Sequence, residues 1–153
     1  DGFLAGRCDV LTSDVSQLAS LRAAMDNPAD AVVLGNVISK EPLGPVVRQG
    51  DDEWFNIVKW TLIAMIQAEE SGVTSENIDT VTTNPTIERL AGRSSQTHEY
   101  LHLSPSWSYD IIKQVGNYGE SYKRNIADTG ILPDRGPNQL WTKGGILYVP
   151  PAR

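Results

Sequence analysis

The sequence predicts an α/β fold whose sheet is incomplete. Short apolar runs that read as strands crowd the first third, apolar residues at helical spacing fill the rest, and Gly, Pro and Asn punctuate the boundaries. Three or four short strands followed by helices do not close an α/β unit, so the sheet needs partners that another stretch of chain could supply. The chain has 153 residues, 40% hydrophobic and 21% charged, enough to bury a core and too apolar for global disorder. A net charge of −6 argues against nucleic acid, whose affinity rests on cationic contacts to phosphate.

Phe3 to Gly6 reads as a helix end with Gly6 just past it, and Cys8 to Leu11 as a short strand. Val15, Leu18, Leu21, Ala24 and Met25 share a helical face, with Asp14 or Ser16 as cap and Asn27-Pro28 as stop. Ala31 to Leu34 reads as a second short strand, Val37 to Pro42 as extended, and Val46 to Arg48 as another strand between Pro45 and Gly50. Asp51 or Asp52 starts a long helix that ends near Ser71-Gly72, and the acids of its first turn suit the helix dipole. Thr74 caps a short helix through Val81. Asn84-Pro85 opens another, closed by Gly92. Ser104-Pro105 opens a helix with Trp107, Ile111, Ile112 and Val115 on one face, ending at Gly116, and Tyr118 to Ile126 forms the next. A loop with Pro133, Gly136 and Pro137 leads to Trp141, and Ile146 to Val149 closes the pattern.

The most apolar stretch, Trp54 to Ala68, is interrupted by Lys59 and Gln67 and is shorter than the roughly 20 residues of a membrane span, so a buried helix is expected. The first seven residues hold no apolar core of signal-peptide length. Cys8 is the only cysteine, which excludes an internal disulfide and reads most simply as a small buried apolar residue.

Five blocks in order resemble the general L-amino-acid-binding proteins, a branch of the polar-amino-acid solute-binding proteins of ABC importers. They are Gly6-Arg7-Cys8-Asp9-Val10 with Thr12-Ser13-Asp14; Ile38-Ser39-Lys40-Glu41-Pro42-Leu43-Gly44-Pro45; and Arg48-Gln49-Gly50-Asp51-Asp52 with Trp54-Phe55. Val115-Gly116-Asn117-Tyr118-Gly119-Glu120 follows, then Leu140-Trp141 with Lys143-Gly144-Gly145 and Tyr148-Val149-Pro150-Pro151. Residues 83–104 match poorly and read as a variable surface region.

The resemblance implies the C-terminal part of a type II periplasmic-binding-protein fold, with two α/β lobes around a cleft. Residues 1–37 would be the last part of lobe two, 38–43 a hinge strand, and 44–153 the return into lobe one with its peripheral helices. The N-terminal half of the family pattern would lie outside this chain and complete the sheet. The resemblance further implies a periplasmic protein whose precursor carries a signal peptide. Its partners would be an L-amino acid, polar or of broad choice, and the permease subunits of an ABC transporter. It implies no enzyme activity, no cofactor and no metal, and Cys8 would pair with a cysteine of the other half.

The site residues follow from the same resemblance. The aspartate at the position of Asp14 accepts the ligand's α-ammonium, and an Asp where a strand ends suits ligand binding at the carboxyl ends of strands. The alternative is that Asp14 only caps the following helix. Ser13 stands where relatives contact the ligand's side chain; the alternative is a turn serine bonded to backbone. Thr12 and Ser13 point to opposite faces of a strand, so only one of the two faces a cleft. The carboxylate-binding arginine of the family matches no arginine of this chain.

One motif points elsewhere. His98-Glu99-Tyr100-Leu101-His102 is a literal HExxH, which on a helix could hold Zn²⁺ between two histidines with Glu99 as general base. A small zinc metallohydrolase is therefore the alternative function. The polar approach over residues 92–97 and Pro105 just beyond are poor context for such a helix, and an exposed polar helix is the plainer reading.

Overall fold

The computed structural model describes residues 2–39, 41–81, 85–94, 96–132 and 134–151. Six α-helices are present among them: α1 (Val15–Ala23), α2 (Asp52–Glu70), α3 (Pro85–Leu90), α4 (Thr97–Leu101), α5 (Trp107–Val115) and α6 (Tyr118–Tyr122). A single π-type turn, Lys123–Ala127, continues α6, and short 3₁₀ turns lie at Pro28–Asp30, Gly136–Asn138 and Trp141–Lys143.

Most start and stop signals act as read. Asp51 caps α2 through its carboxylate, which accepts from Trp54 N at 3.1 Å, and the helix ends before Gly72 at φ +70°. Gly92 and Gly116 lie beyond α3 and α5 with positive φ. Residues 2–6 are a turn closed by Arg7 N donating to Gly2 O at 2.9 Å, with Gly6 at φ +66°. Thr74 and Asn77 cap each other, Thr74 Oγ1 accepting from Asn77 N at 3.2 Å and Asn77 Oδ1 from Thr74 N at 2.8 Å, but the segment they open is a run of turns and not a helix. Of the Asn84-Pro85 signal, Pro85 begins α3 and Asn84 lies outside the described residues.

The expected strands are the main correction. Cys8–Leu11, Ala31–Leu34, Val37–Pro42 and Val46–Arg48 form no ladder among the described residues, Lys40 lying outside them. Their apolar side chains stand in solvent: Val32 is 77% exposed, Ile38 80% and Val46 95%. A strand has no intrasegment hydrogen bonds to hold it, so a run with β pattern and no neighbour remains irregular. The described residues contain one isolated bridge, between Leu140 and Leu147, near the C-terminus.

The core is helical and sits after residue 60. Ala64 and Ala68 of α2 pack with Val73, Ile78, Ile87, Leu90, Leu101, Trp107 and Ile112, flanked by Trp60, Met65 and Tyr109. The apolar stretch of α2 is buried only in its second half, since Trp54 and Phe55 are about half exposed. No helix among the described residues is long and apolar enough to cross a membrane. Residues 83–104 are more than a surface region, because Ile87, Leu90 and Leu101 enter the core.

Gly92 shows how tightly α3 meets the start of α5. It has φ +72°, and a Cβ there would lie 2.9 Å from the carbonyl oxygen of Pro105, a backbone atom that cannot swing aside. Gly92→Ala is expected to cost about 1–3 kcal/mol in a urea titration, the left-handed conformation and the clash adding.

The α6 start holds the block Val115–Glu120. Asn117 Oδ1 accepts from Glu120 N at 2.9 Å, and Glu120 Oε2 accepts from Asn117 N at 2.8 Å, a reciprocal capping box. Asn117 Nδ2 also donates to Val73 O at 2.7 Å, which ties α6 to the end of α2. Glu120 accepts in addition from Ser75 Oγ at 2.6 Å and Ser75 N at 3.1 Å. Burial pushes the Glu120 carboxyl up, but the Ser75 hydroxyl, the two backbone N–H groups and the Arg124 charge together hold it below the ordinary range. A carboxylate lowered by folding stabilises above its unfolded pKa, and that contribution disappears as pH falls through the folded value. Glu120→Gln is therefore expected to lower the urea midpoint most at about pH 7 and progressively less as the pH falls through the acid range. A loss that does not change with pH would show that shape, not charge, matters there.

Candidate functional site

The segment singled out in the sequence runs into α1. Asp14 occupies the N-cap position, with φ −55° and ψ 142°, and its carbonyl accepts from Leu18 N at 2.9 Å. Its side chain makes no capping hydrogen bond. The plain cap reading therefore does not account for the carboxylate of this half-buried residue. Ser13 is exposed and its hydroxyl donates to Gln17 Oε1, a side chain one turn into α1 and not a backbone group. Thr12 is exposed beside it.

Glu41 was not among the residues expected here. The fold brings it against Asp14, and hydrogen bonding to Asp14, then the Asp14 charge, then slight burial hold the Glu41 carboxyl above the ordinary range. Two neighbouring carboxyl groups form a natural seat for a cation, because an ammonium placed between them removes the repulsion. The only sign in the sequence was the place of Glu41 in the Ile38–Pro45 block.

The HExxH histidines do not make a zinc site. The helix ends at Leu101, and His102 lies past it in the left-handed region at φ 51°, so the two rings do not share a helical face. His102 Nδ1 instead faces Glu53 Oε1 at 3.0 Å in an exposed pair. No group of three His, Cys, Asp or Glu among the described residues is placed to hold a metal. The described residues therefore offer no centre for the metallohydrolase reading. Cys8 is exposed and not the small core residue expected from the sequence.

No family model matches the chain. It is 53% identical over 153 residues to YhdW of Escherichia coli (strain K12), assigned as an amino-acid ABC transporter-binding protein, covering 97% of this chain and 45% of that one. It is 51% identical over 154 residues to the general L-amino acid-binding periplasmic protein AapJ of Rhizobium johnstonii, covering 97% and 45%. The chain is homologous to the amino-acid-binding proteins of ABC transporters. A further relative is the glutamate/glutamine/aspartate/asparagine-binding protein BztA of Rhodobacter capsulatus, at 47% over 155 residues, covering 99% and 46%. Among solved structures, an ABC transporter periplasmic binding protein from Brucella ovis with glutathione bound superimposes with a TM-score of 0.89 at 44% identity, over 99% of this chain and 49% of that one.

The expected fold is thereby borne out: the chain has the structure of part of a periplasmic binding protein, and it spans about half the length of the relatives it matches. The alignment extends over nearly all of the chain.

Proposed function

We propose that this chain is the C-terminal part of the substrate-binding component of an ABC importer, a periplasmic protein that captures free L-amino acids and presents them to permease subunits. The observation that carries the reading is identity of 47–53% to amino-acid-binding proteins of such transporters over 97–99% of the chain. Binding is non-covalent, hinge closure around the ligand takes the place of catalysis, and the chain carries no enzyme activity. Residues 1–37 complete lobe two, 38–43 cross the hinge, and 44–153 return to lobe one. The exposed apolar residues of the first fifty positions find their sheet partners on the other half of the protein, which also supplies the arginine for the ligand carboxylate. In this frame Asp14 accepts the α-ammonium, Glu41 stands beside it, and Ser13, flanked by Thr12, meets the ligand's side chain. Cys8, exposed here, pairs with a cysteine of the other half.

A second reading has its own support. The Brucella ovis protein holds glutathione, whose γ-glutamyl end carries the same free α-ammonium and α-carboxylate as an amino acid. A site that reads this common head would also accept γ-glutamyl peptides if the side-chain pocket is open. Calorimetry on the native protein with a panel of L-amino acids and glutathione tests both. Binding of amino acids with exclusion of glutathione supports the first reading alone. Tight binding of glutathione with weak binding of all amino acids supports the second, and no binding of either class refutes both.

A further inference from the structure

A small cavity lies in the helical core, away from Asp14. Its walls come from α2, α3, α4 and α5, with Ile63, Ala64 and Leu90 on the apolar side and Arg89, Trp107 and Ser108 on the polar side. It offers about 10 Å³ to the centre of a water-sized sphere, roughly the least that one water or a monatomic ion needs. It is too small for an amino acid or a polyatomic anion.

The polar wall carries two unsatisfied donors. Trp107 is only 8% exposed, and its indole Nε1 is shielded from solvent with no acceptor. Arg89 Nε is shielded and lacks an acceptor in the same way, while Arg89 Nη2 donates to Thr86 Oγ1 at 3.3 Å. No carboxylate among the described residues forms an ion pair with Arg89. Ser108 Oγ is held by donating to Leu90 O at 3.0 Å, which leaves a lone pair to accept a bond. Buried N–H groups in native proteins find an acceptor, because leaving one without a bond forfeits its solvation. Here two such groups, one on a permanent cation, belong to side chains that line one small space together with Ser108, Thr97 and apolar residues.

We propose that this cavity is a binding site for one small hydrogen-bond acceptor, a halide ion or a single ordered water, held between Arg89 Nε and Trp107 Nε1. Either species accepts from both nitrogens. A halide also balances the Arg89 charge, whereas a water can in addition donate to Ser108 Oγ. In both cases the bound species joins α3 to the first turn of α5, and Trp107 serves as one of its ligands as well as a core side chain.

Crystals of the native protein grown with sodium bromide in place of chloride, and measured at the bromine absorption edge, test the site. The expected result is a density peak within hydrogen-bond distance of both nitrogens. An anomalous signal at the peak identifies a halide, and a peak without one identifies water. Trp107→Phe keeps the ring in place and removes one donor, so the peak should weaken or vanish in that variant. The proposal is overturned if the cavity is empty of density, if a protein oxygen satisfies both nitrogens, or if the peak is unchanged in Trp107→Phe.

Discussion

Asp14→Asn is expected to weaken binding of every L-amino acid by at least about a hundredfold, whatever its side chain. The α-ammonium is common to all of them, and closing a cleft around it removes its water. Breaking a buried charge pair by neutralising one partner costs about 3–5 kcal/mol, and each 1.4 kcal/mol is about tenfold in affinity. Asn keeps the shape of Asp, and the Asp14 carboxylate makes no capping bond to α1, so the helix should survive the change. Ser13→Ala should instead shift the preference among amino acids. Calorimetry on the intact protein and on the two variants reads both effects. Unchanged affinity in Asp14→Asn would remove Asp14 from the site.

Arg135→Ala is expected to be the most destabilising single change outside the apolar core, at about 3–5 kcal/mol. Arg135 grips Glu69 with two parallel bonds, Nη1 to Oε1 at 2.5 Å and Nη2 to Oε2 at 3.1 Å. Both side chains are nearly enclosed, 12% and 9% exposed. The guanidinium also lies 5.3 Å from the ring centres of Tyr118 and Tyr122, and its Nη2 donates to Asn138 O at 2.9 Å. One side chain thus joins α2, α6 and the C-terminal segment. Truncation leaves the Glu69 carboxylate buried without its partner, whereas an exposed pair would cost about 0–1 kcal/mol. Arg135→Lys keeps the charge but loses the planar fork and the stacking, so it should recover only part of the loss. For a chain of this size the Ala variant should melt on the order of ten degrees lower. A loss under about 1 kcal/mol would show the pair to be solvated in solution.

Local chemistry was legible in the sequence wherever it acts within a few residues. Asp51 as the cap of α2, Gly72, Gly92 and Gly116 beyond helix ends, and the Thr74 cap all lie where their residue types suggest. The Asp14 segment was visible only through its resemblance to a family, since an Asp before a helix looks the same whether it caps or binds. Glu41 was missed because its approach to Asp14 depends on where the chain returns, which no periodicity records. The HExxH failed because the helix stops at Leu101 and His102 turns into the left-handed region, which residue spacing alone did not reveal.

By itself the sequence determined the start and end of α2, the stops beyond α3 and α5, the absence of an internal disulfide and the membership of the chain in a recognisable pattern of ordered blocks. These depend on side chains acting on their own backbone or on residue types that can be counted. Tertiary structure alone decided that the Arg135 and Glu69 side chains meet, that residues 83–104 feed the core, and that Val32, Ile38 and Val46 stand unpaired. The physical reason is the same in each case. A helix closes its hydrogen bonds within one segment, whereas an ion pair between distant residues or a strand in a sheet exists only when a second stretch of chain arrives to complete it.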